Sequence, residues 1–332
     1  MQVSRIVTKY FKNYNIKNRI DKNGQSIVHI ETPKGDCILK IYSEYNLDDI
    51  SILDAYYRYG KLLNDSGILT PNLILNSDSS THKITRIKNI SYISWVEEYI
   101  PSKYTYLDFF PTYNKPDDVF YELGKINGKM NRISFENNIF CTKNLSIINF
   151  ENVERDYNFN SVQNILKHIN VEKGELIFKI YTKKRHELEN IFQTLKNGYL
   201  QGDCSPLNLI ISQEDKILGF YDYNLSGNEK YIVDAINNGI FYAFEYCLED
   251  RKLKKEYQTI MSNRFNEYMK GYFSKFKYDN DIEVVDLLYN ILILTRFKMA
   301  LIKNLLNNKN YGMLDYLFDW LLEQMQKSNV LY

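Results

Sequence analysis

The chain has 332 residues, 44% of them hydrophobic, enough for one large domain or two lobes with their own cores. Its 42 basic and 41 acidic residues leave a net charge of +1, which argues against a protein that coats nucleic acid or another polyanion. Cys37, Cys141, Cys204 and Cys247 are scattered without a C-x-x-C pair, so neither a disulfide framework nor a zinc site is expected.

The N-terminus, MQVSRIVTKYFKNYNI, lacks an apolar core of signal-peptide length, and the apolar stretch 287–295 is too short to cross a bilayer. A soluble, cytoplasmic protein with reduced thiols is expected, with no nucleic-acid and no membrane partner. The richness in Tyr, Asn, Ile and Lys fits the codon usage of an AT-rich genome better than it fits a function.

The first hundred residues read as a β-rich lobe. Two β-branched runs, Ser26–Thr32 and Asp36–Tyr42, flank the turn residues Pro33-Lys34-Gly35, a hairpin signature. Leu47–Asn64 carries apolar residues at helical spacing and ends near Gly67. Pro71–Leu75, Lys83–Ile87 and Tyr92–Tyr99 read as three further strands, and 18–21 as part of a first one. Pro101-Ser102-Lys103 breaks the pattern, so the lobes are set at 1–100 and 101–332. Beyond the break, helices are expected over Pro116–Asn131, Gly174–Leu195, Asp234–Leu248, Lys252–Phe273, Ile282–Leu306 and Tyr311–Gln326, with a short strand at Phe140–Thr142.

The segment Tyr199–Asn224, YLQGDCSPLNLIISQEDKILGFYDYN, interrupts the helices with strand–turn–strand. Asp203 and Asn208 lie on the turn before the first apolar run, and Asp222 follows the second. Three groups able to take a hydroxyl proton or an Mg²⁺ ion therefore gather at one end of a hairpin, as phosphoryl transfer requires. Each alone has a plainer reading: Gly202-Asp203 with Ser205-Pro206 is good turn chemistry, and Asp222 could cap a strand end. Cys204 has no histidine near it in sequence and reads as a filler position, not a nucleophile.

Gln201-Gly202-Asp203-Cys204-Ser205-Pro206-Leu207-Asn208 resembles the H-G-D-x-x-x-x-N catalytic loop of the aminoglycoside phosphotransferase and choline kinase family, and Gly219–Tyr223 resembles that family's metal-binding motif G-h-I-D-[FW]. Asp234, in Tyr231-Ile-Val-Asp-Ala-Ile, is similar to the D-[LI]-A segment that follows. Glu122–Asn131 resembles the family's E-L-G helix, with Asn131 where His is usual. The likeness runs from about Gln25 to Gly239. It departs at Gln201, where the family has a His that braces the loop; a Gln amide can also donate and accept.

The resemblance implies an α+β, bilobal protein-kinase-like fold, with a small β-rich N-lobe holding one main helix and a larger, mostly helical C-lobe. It implies Asp203 as the catalytic carboxylate, Asn208 and Asp222 as Mg²⁺ ligands, and Lys40 on the phosphates of ATP or GTP. The family pairs that lysine with a helix acid, here Asp54, with Asp48 and Asp49 as alternatives. Gly24 and Ser26 would belong to the phosphate-covering turn. Backbone groups of Glu98 and Ile100 would meet the adenine edge, and Ile210 would floor the ring.

The expected activity is transfer of the γ-phosphoryl group to the hydroxyl of a small molecule. Aminoglycoside, choline, homoserine and methylthioribose all stay open as acceptors. The acidic, aromatic stretch Phe241–Asp250 would suit a cationic amine, though an aromatic core stripe with acid tips looks the same. A kinase-fold binding or structural protein of reduced activity, like the spore-coat-associated branch of the family, is the competing expectation. Gln201 and the uncertain helix acid motivate it.

Overall fold

The structure, a computed structural model, describes residues 3–22, 24–43, 50–102, 118–249, 255–296, 302 and 305–331. Three consecutive strands, β1 (Asn15–Lys22), β2 (Gln25–Thr32) and β3 (Gly35–Ser43), form a meander. β6 (Ile90–Glu98) pairs with β3, and both β4 (Leu73–Ile74) and β5 (Lys83–Ile87) pair with β6. Every pairing is antiparallel. The six strands fall on the six stretches read from the sequence, and the first of them is longer than 18–21.

The period-two alternation decides the role of each face. Val28, Ile30, Cys37, Leu39, Ile41 and Val96 form a small core with the helix α1 (Val3–Val7), which carries too few apolar residues to be recognised from sequence. The other face carries Lys40, Tyr42, Ile93, Trp95 and Glu97, brought into line by the registers Lys40↔Trp95, Tyr42↔Ile93 and Ile38↔Glu97.

Helix α2 (Ser51–Asp65) begins later than the apolar spacing predicts; residues 44–49 lie outside the described ones, Asp48 and Asp49 among them. Its buried face is Ile52, Ala55, Tyr56, Tyr59 and Leu63. Although it sits within the first hundred residues, several of its polar bonds run to the rest of the chain. The Tyr59 hydroxyl donates to the Met130 carbonyl (2.9 Å), the Tyr199 hydroxyl to the Ile52 carbonyl (3.2 Å), and the Lys129 ammonium to the Ser66 carbonyl. The Tyr56 ring stacks on Tyr223 with centroids 4.3 Å apart.

The remainder is helical, as expected: α3 (Asp118–Glu136), α4 (Tyr157–Leu166), α5 (Val171–Phe192), α6 (Tyr231–Glu249), α7 (Lys255–Phe273), α8 (Asp279–Arg296) and α9 (Tyr311–Met325). The expected helix starts at Pro116 and Lys252 lie outside the described residues, as do 297–301, 303 and 304 of the helix expected to reach Leu306. Three details differ from the sequence reading. Phe140–Thr142 forms no strand; the chain there makes only an isolated bridge, Asn144 to Asn228. α4 was not anticipated, because its N-terminus is set by a tertiary contact. Asp156 caps it by accepting from the Phe159 N–H (2.7 Å), and Arg185 on α5 holds that same carboxylate at 2.6 Å. A pair of short strands, β7 (Asn197–Leu200) and β10 (Gly227–Lys230), flanks the hairpin β8 (Leu209–Ile211) and β9 (Ile217–Phe220). Among the described residues, no helix is long and apolar enough to cross a membrane.

Candidate active site

β7 delivers the chain to the loop 201–208, a 3₁₀ turn at Pro206–Asn208 leads into β8, and β9 returns to Asp222. Two glycines make this path possible. Gly202 has φ +81°, and a Cβ there would lie 2.2 Å from the Leu225 carbonyl oxygen. Gly219 lets the backbone at Leu69 press against β9, where a Cβ would lie 1.9 Å from the Leu69 oxygen. Leu69 N–H donates to the Leu218 carbonyl (2.8 Å) and Phe220 N–H to the Leu69 carbonyl (3.2 Å).

The three hairpin groups are linked through the loop's own bonds. The Asn208 amide nitrogen donates to the Asp203 carboxylate (3.1 Å) and to its carbonyl (2.8 Å), which turns the amide oxygen of Asn208 away from Asp203. The Tyr221 N–H donates to the Asn208 carbonyl (2.7 Å), which fixes the residue before Asp222 to the loop. Asp222 itself takes a left-handed backbone, φ +57°, a conformation that Asp tolerates better than most residues and that often marks functional positions.

Gln201 is 2% exposed and satisfies three backbone groups at once. Its Nε2 donates to the carbonyls of Tyr221 (2.9 Å) and Asp222 (2.7 Å), while its Oε1 accepts from the Asp203 N–H (2.6 Å). It braces the Asp203 turn against the Asp222 turn, the work expected of the family's His.

Lys40 reaches across from the sheet. Its Nζ lies 2.8 Å from Asp222 Oδ1 and 3.1 Å from Glu97 Oε1. Burial works against the ammonium, but the Asp222 and Glu97 carboxylates outweigh it and hold Lys40 above the usual lysine range. The acid partner is therefore not Asp54. That residue, on the outer side of α2, accepts from the Thr81 hydroxyl (2.8 Å), and the inner side of the helix is filled by Tyr56 and Tyr59.

Sequence reasoning passed over Glu97 and Asn224. Trp95 and Glu97 alternate on one strand, but only the β3–β6 register shows that their face is that of Lys40. The Trp95 indole N–H donates to Glu97 Oε1 (2.8 Å). Asn224, with its amide nitrogen turned to Asp222, donates to Oδ2 (3.0 Å) and accepts from the Tyr42 hydroxyl (3.1 Å). Tyr42 stacks on Trp95, centroids 4.9 Å apart. Trp95, Glu97, Lys40, Asp222, Asn224 and Tyr42 thus close a ring that joins sheet and hairpin.

The remaining expected residues are placed as follows. Gly24, φ +76°, is the exposed tip of the β1–β2 turn. Ser26 is fully buried and pairs with Ile41, so its side chain lies on the face opposite Lys40, where its hydroxyl donates to Asp21. Only backbone at Ser26 is left for the lysine side. At Glu98 the N–H is engaged by the Asn72 carbonyl (2.9 Å), and at Ile100 the carbonyl accepts from the Tyr221 hydroxyl (2.6 Å). Ile210 is fully covered; it pairs with Gly219, and the Leu69 backbone closes that side of the hairpin. Cys204 is buried, Asn127 donates to its sulfur (3.5 Å), and burial pushes its thiol well above the ordinary range, which suits a filler. In the aromatic stretch of α6, Tyr242 and Phe244 are core residues; the side chains of 245–250 lie outside the described ones.

Comparison with solved structures finds proteins of the same overall fold. One is an aminopropanol kinase associated with a microcompartment, TM-score 0.63 and 13% identity, covering 97% of this chain and 98% of that one. Another is the amicoumacin kinase hAmiN in complex with AMP-PNP, Ca²⁺ and Ami, TM-score 0.58 and 14% identity, covering 99% of this chain and 96% of that one. The chain shares the fold of these two small-molecule kinases. The fold class expected from sequence, a β-rich N-lobe and a helical C-lobe, holds over nearly the whole length. No protein-family model matches the sequence, and no curated protein matches it.

Proposed function

We propose that the chain is a small-molecule kinase that moves the γ-phosphoryl group of ATP or GTP to a substrate hydroxyl. The observation that carries this reading is the salt bridge between Lys40 and Asp222, which sets a buried ammonium beside the carboxylate of the hairpin. The lobes would meet near residue 100, with the nucleotide between them. Asp203 would accept a hydrogen bond from the acceptor hydroxyl, orient it and take its proton as the new P–O bond forms. Lys40 would neutralise the α- and β-phosphates.

The donor set fits Mg²⁺: Asp222 supplies one carboxylate and Asn208 one neutral oxygen, both hard oxygen donors, and the Tyr221–Asn208 bond ties their backbones together. When bound, the ion would neutralise charge on the transferring phosphoryl group. A nucleobase edge would take the Glu98 carbonyl and the Ile100 N–H, since the other backbone group of each residue is engaged. The three bonds of Gln201 favour an active enzyme over a kinase-fold binding protein, because the His it replaces would have had the same bracing work.

The aminopropanol kinase suggests an amino alcohol as acceptor. A coupled assay of ADP or GDP release over a panel of amino alcohols, aminoglycosides and simple alcohols tests the reading. Turnover with one of them, lost about a thousandfold in Asp203→Asn while nucleotide affinity stays within about twofold, is the expected result. Wild-type turnover by that variant would overturn the role of Asp203.

A further inference from the structure

Among the described residues, the phosphate-binding lysine of this chain has two carboxylates within reach, Glu97 and Asp222, and neither comes from helix α2. Glu97 and Lys40 are each 4% exposed, so each needs a charged partner to remain ionised without water. Glu97 has that partner in Lys40 and a second donor in the Trp95 indole. We propose that Glu97, on the last strand before the lobe junction, is the positioning carboxylate of Lys40, so that the sheet alone sets the lysine. The proposal rests on the kinase reading above.

The difference from a helix-borne acid is mechanical. Lys40 and Glu97 stand on adjacent strands whose register is locked by ladder hydrogen bonds, so their distance is the same in any arrangement of the lobes. An acid on α2 would instead have to be carried into place by the helix. Glu97 also decides what happens to Asp222. With Glu97 present, the ammonium keeps a carboxylate when a metal ion claims Asp222. Without it, Asp222 is the only carboxylate that the described contacts leave to Lys40, and the lysine competes with the metal. Glu97 therefore acts on phosphate and metal binding and leaves the nucleobase alone.

Calorimetric titration of the full chain with Mg-ATP and, separately, with adenosine reads this directly. Glu97→Gln keeps an oxygen for the Trp95 N–H and removes the charge. It is expected to raise the Kd for Mg-ATP about tenfold and to leave adenosine within about twofold. Asp54→Asn should change neither. Trp95→Phe removes the indole donor and some ring packing but leaves both charges of the Lys40–Glu97 pair; it should weaken Mg-ATP about threefold and spare adenosine, and it carries the test if the Gln variant does not fold. Three results overturn the proposal: unchanged Mg-ATP affinity in both variants, equal weakening of ATP and adenosine, or an Asp54→Asn loss as large as that of Glu97→Gln. A wild-type chain that binds neither ATP nor GTP with Mg²⁺ overturns the kinase reading instead.

Discussion

Gln201 offers the sharpest test of how the catalytic loop is held. Gln201→Ala removes three hydrogen bonds at a site only 2% exposed, leaving the carbonyls of Tyr221 and Asp222 and the N–H of Asp203 without their partner. At about 1 kcal/mol net for each bond, the loss is about 3 kcal/mol. In a protein of this size, about 2 °C of melting temperature corresponds to each kcal/mol, so the variant should melt about 6 °C below wild type. Gln201→His keeps one donor and one acceptor, and its loss should be about a third as large. Gln201→Glu turns a donor into an acceptor facing two carbonyl oxygens, so near pH 8 it should be worse than Ala. Near pH 5 a protonated carboxyl can donate again, and the gap should narrow. Differential scanning calorimetry at the two pH values gives the whole ranking. A Gln201→Ala variant melting within about 1 °C of wild type, or a Gln201→Glu variant no worse than Ala at pH 8, would refute the bracing role.

Two further predictions concern stability away from the site. Arg185 donates to Asp156 (2.6 Å) and to the Asn149 carbonyl (3.1 Å), and its guanidinium lies over the Phe150 ring at 4.4 Å. Arg185→Met should lose about 3–5 kcal/mol in chemical denaturation, because it strands the buried Asp156 charge; the Asp156→Asn/Arg185→Met double variant should recover part of it. Burial raises the Glu229 carboxyl from 4.5 to about 7, against the backbone N–H groups of Lys230 and Ile147 that it accepts from. The folded state therefore holds this proton more tightly than the unfolded chain. Its contribution, on the order of 3 kcal/mol, is full below about pH 4.5 and is lost as the pH rises through about 7. Wild type should thus lose stability between pH 5 and 7.5 by more than Glu229→Gln does; parallel curves would show that Glu229 is not the group responsible.

What the sequence made legible is local. Asp203, Asn208 and Asp222 lie within twenty residues, on a hairpin whose turns and apolar runs identify themselves, and the structure links them through backbone and side-chain bonds. Lys40 was legible only through the family resemblance, as the lysine toward the phosphates, and its partner was not. Glu97 becomes its neighbour only through the register of two strands more than fifty residues apart, which no local pattern encodes. Asn224 and Tyr42 were hidden for the same reason, 182 residues apart in the chain. Ser26 shows how alternation narrows a reading: its side chain goes to the face opposite Lys40, so the role expected near that turn is left to backbone groups. α4 and the β7–β10 pair were missed because their short segments gain definition from Arg185, Asp156 and Glu229, groups brought together only by folding.

The bonds of α2 bear on how such a molecule could open. Tyr59, Ser66 and Ile52 fasten the helix to α3 and β7, and Leu69, just beyond it, is laced into β9. By sequence α2 belongs with the strands, but these bonds also tie it to the hairpin. An opening motion about residues 99–102 that kept them would slide the sheet over a stationary helix and break the Thr81–Asp54 bond, like a shutter on a fixed frame. The rigid unit that grips a nucleotide from above would be the strands with α1, and the Lys40–Asp222 pair would be the latch that such a movement has to release.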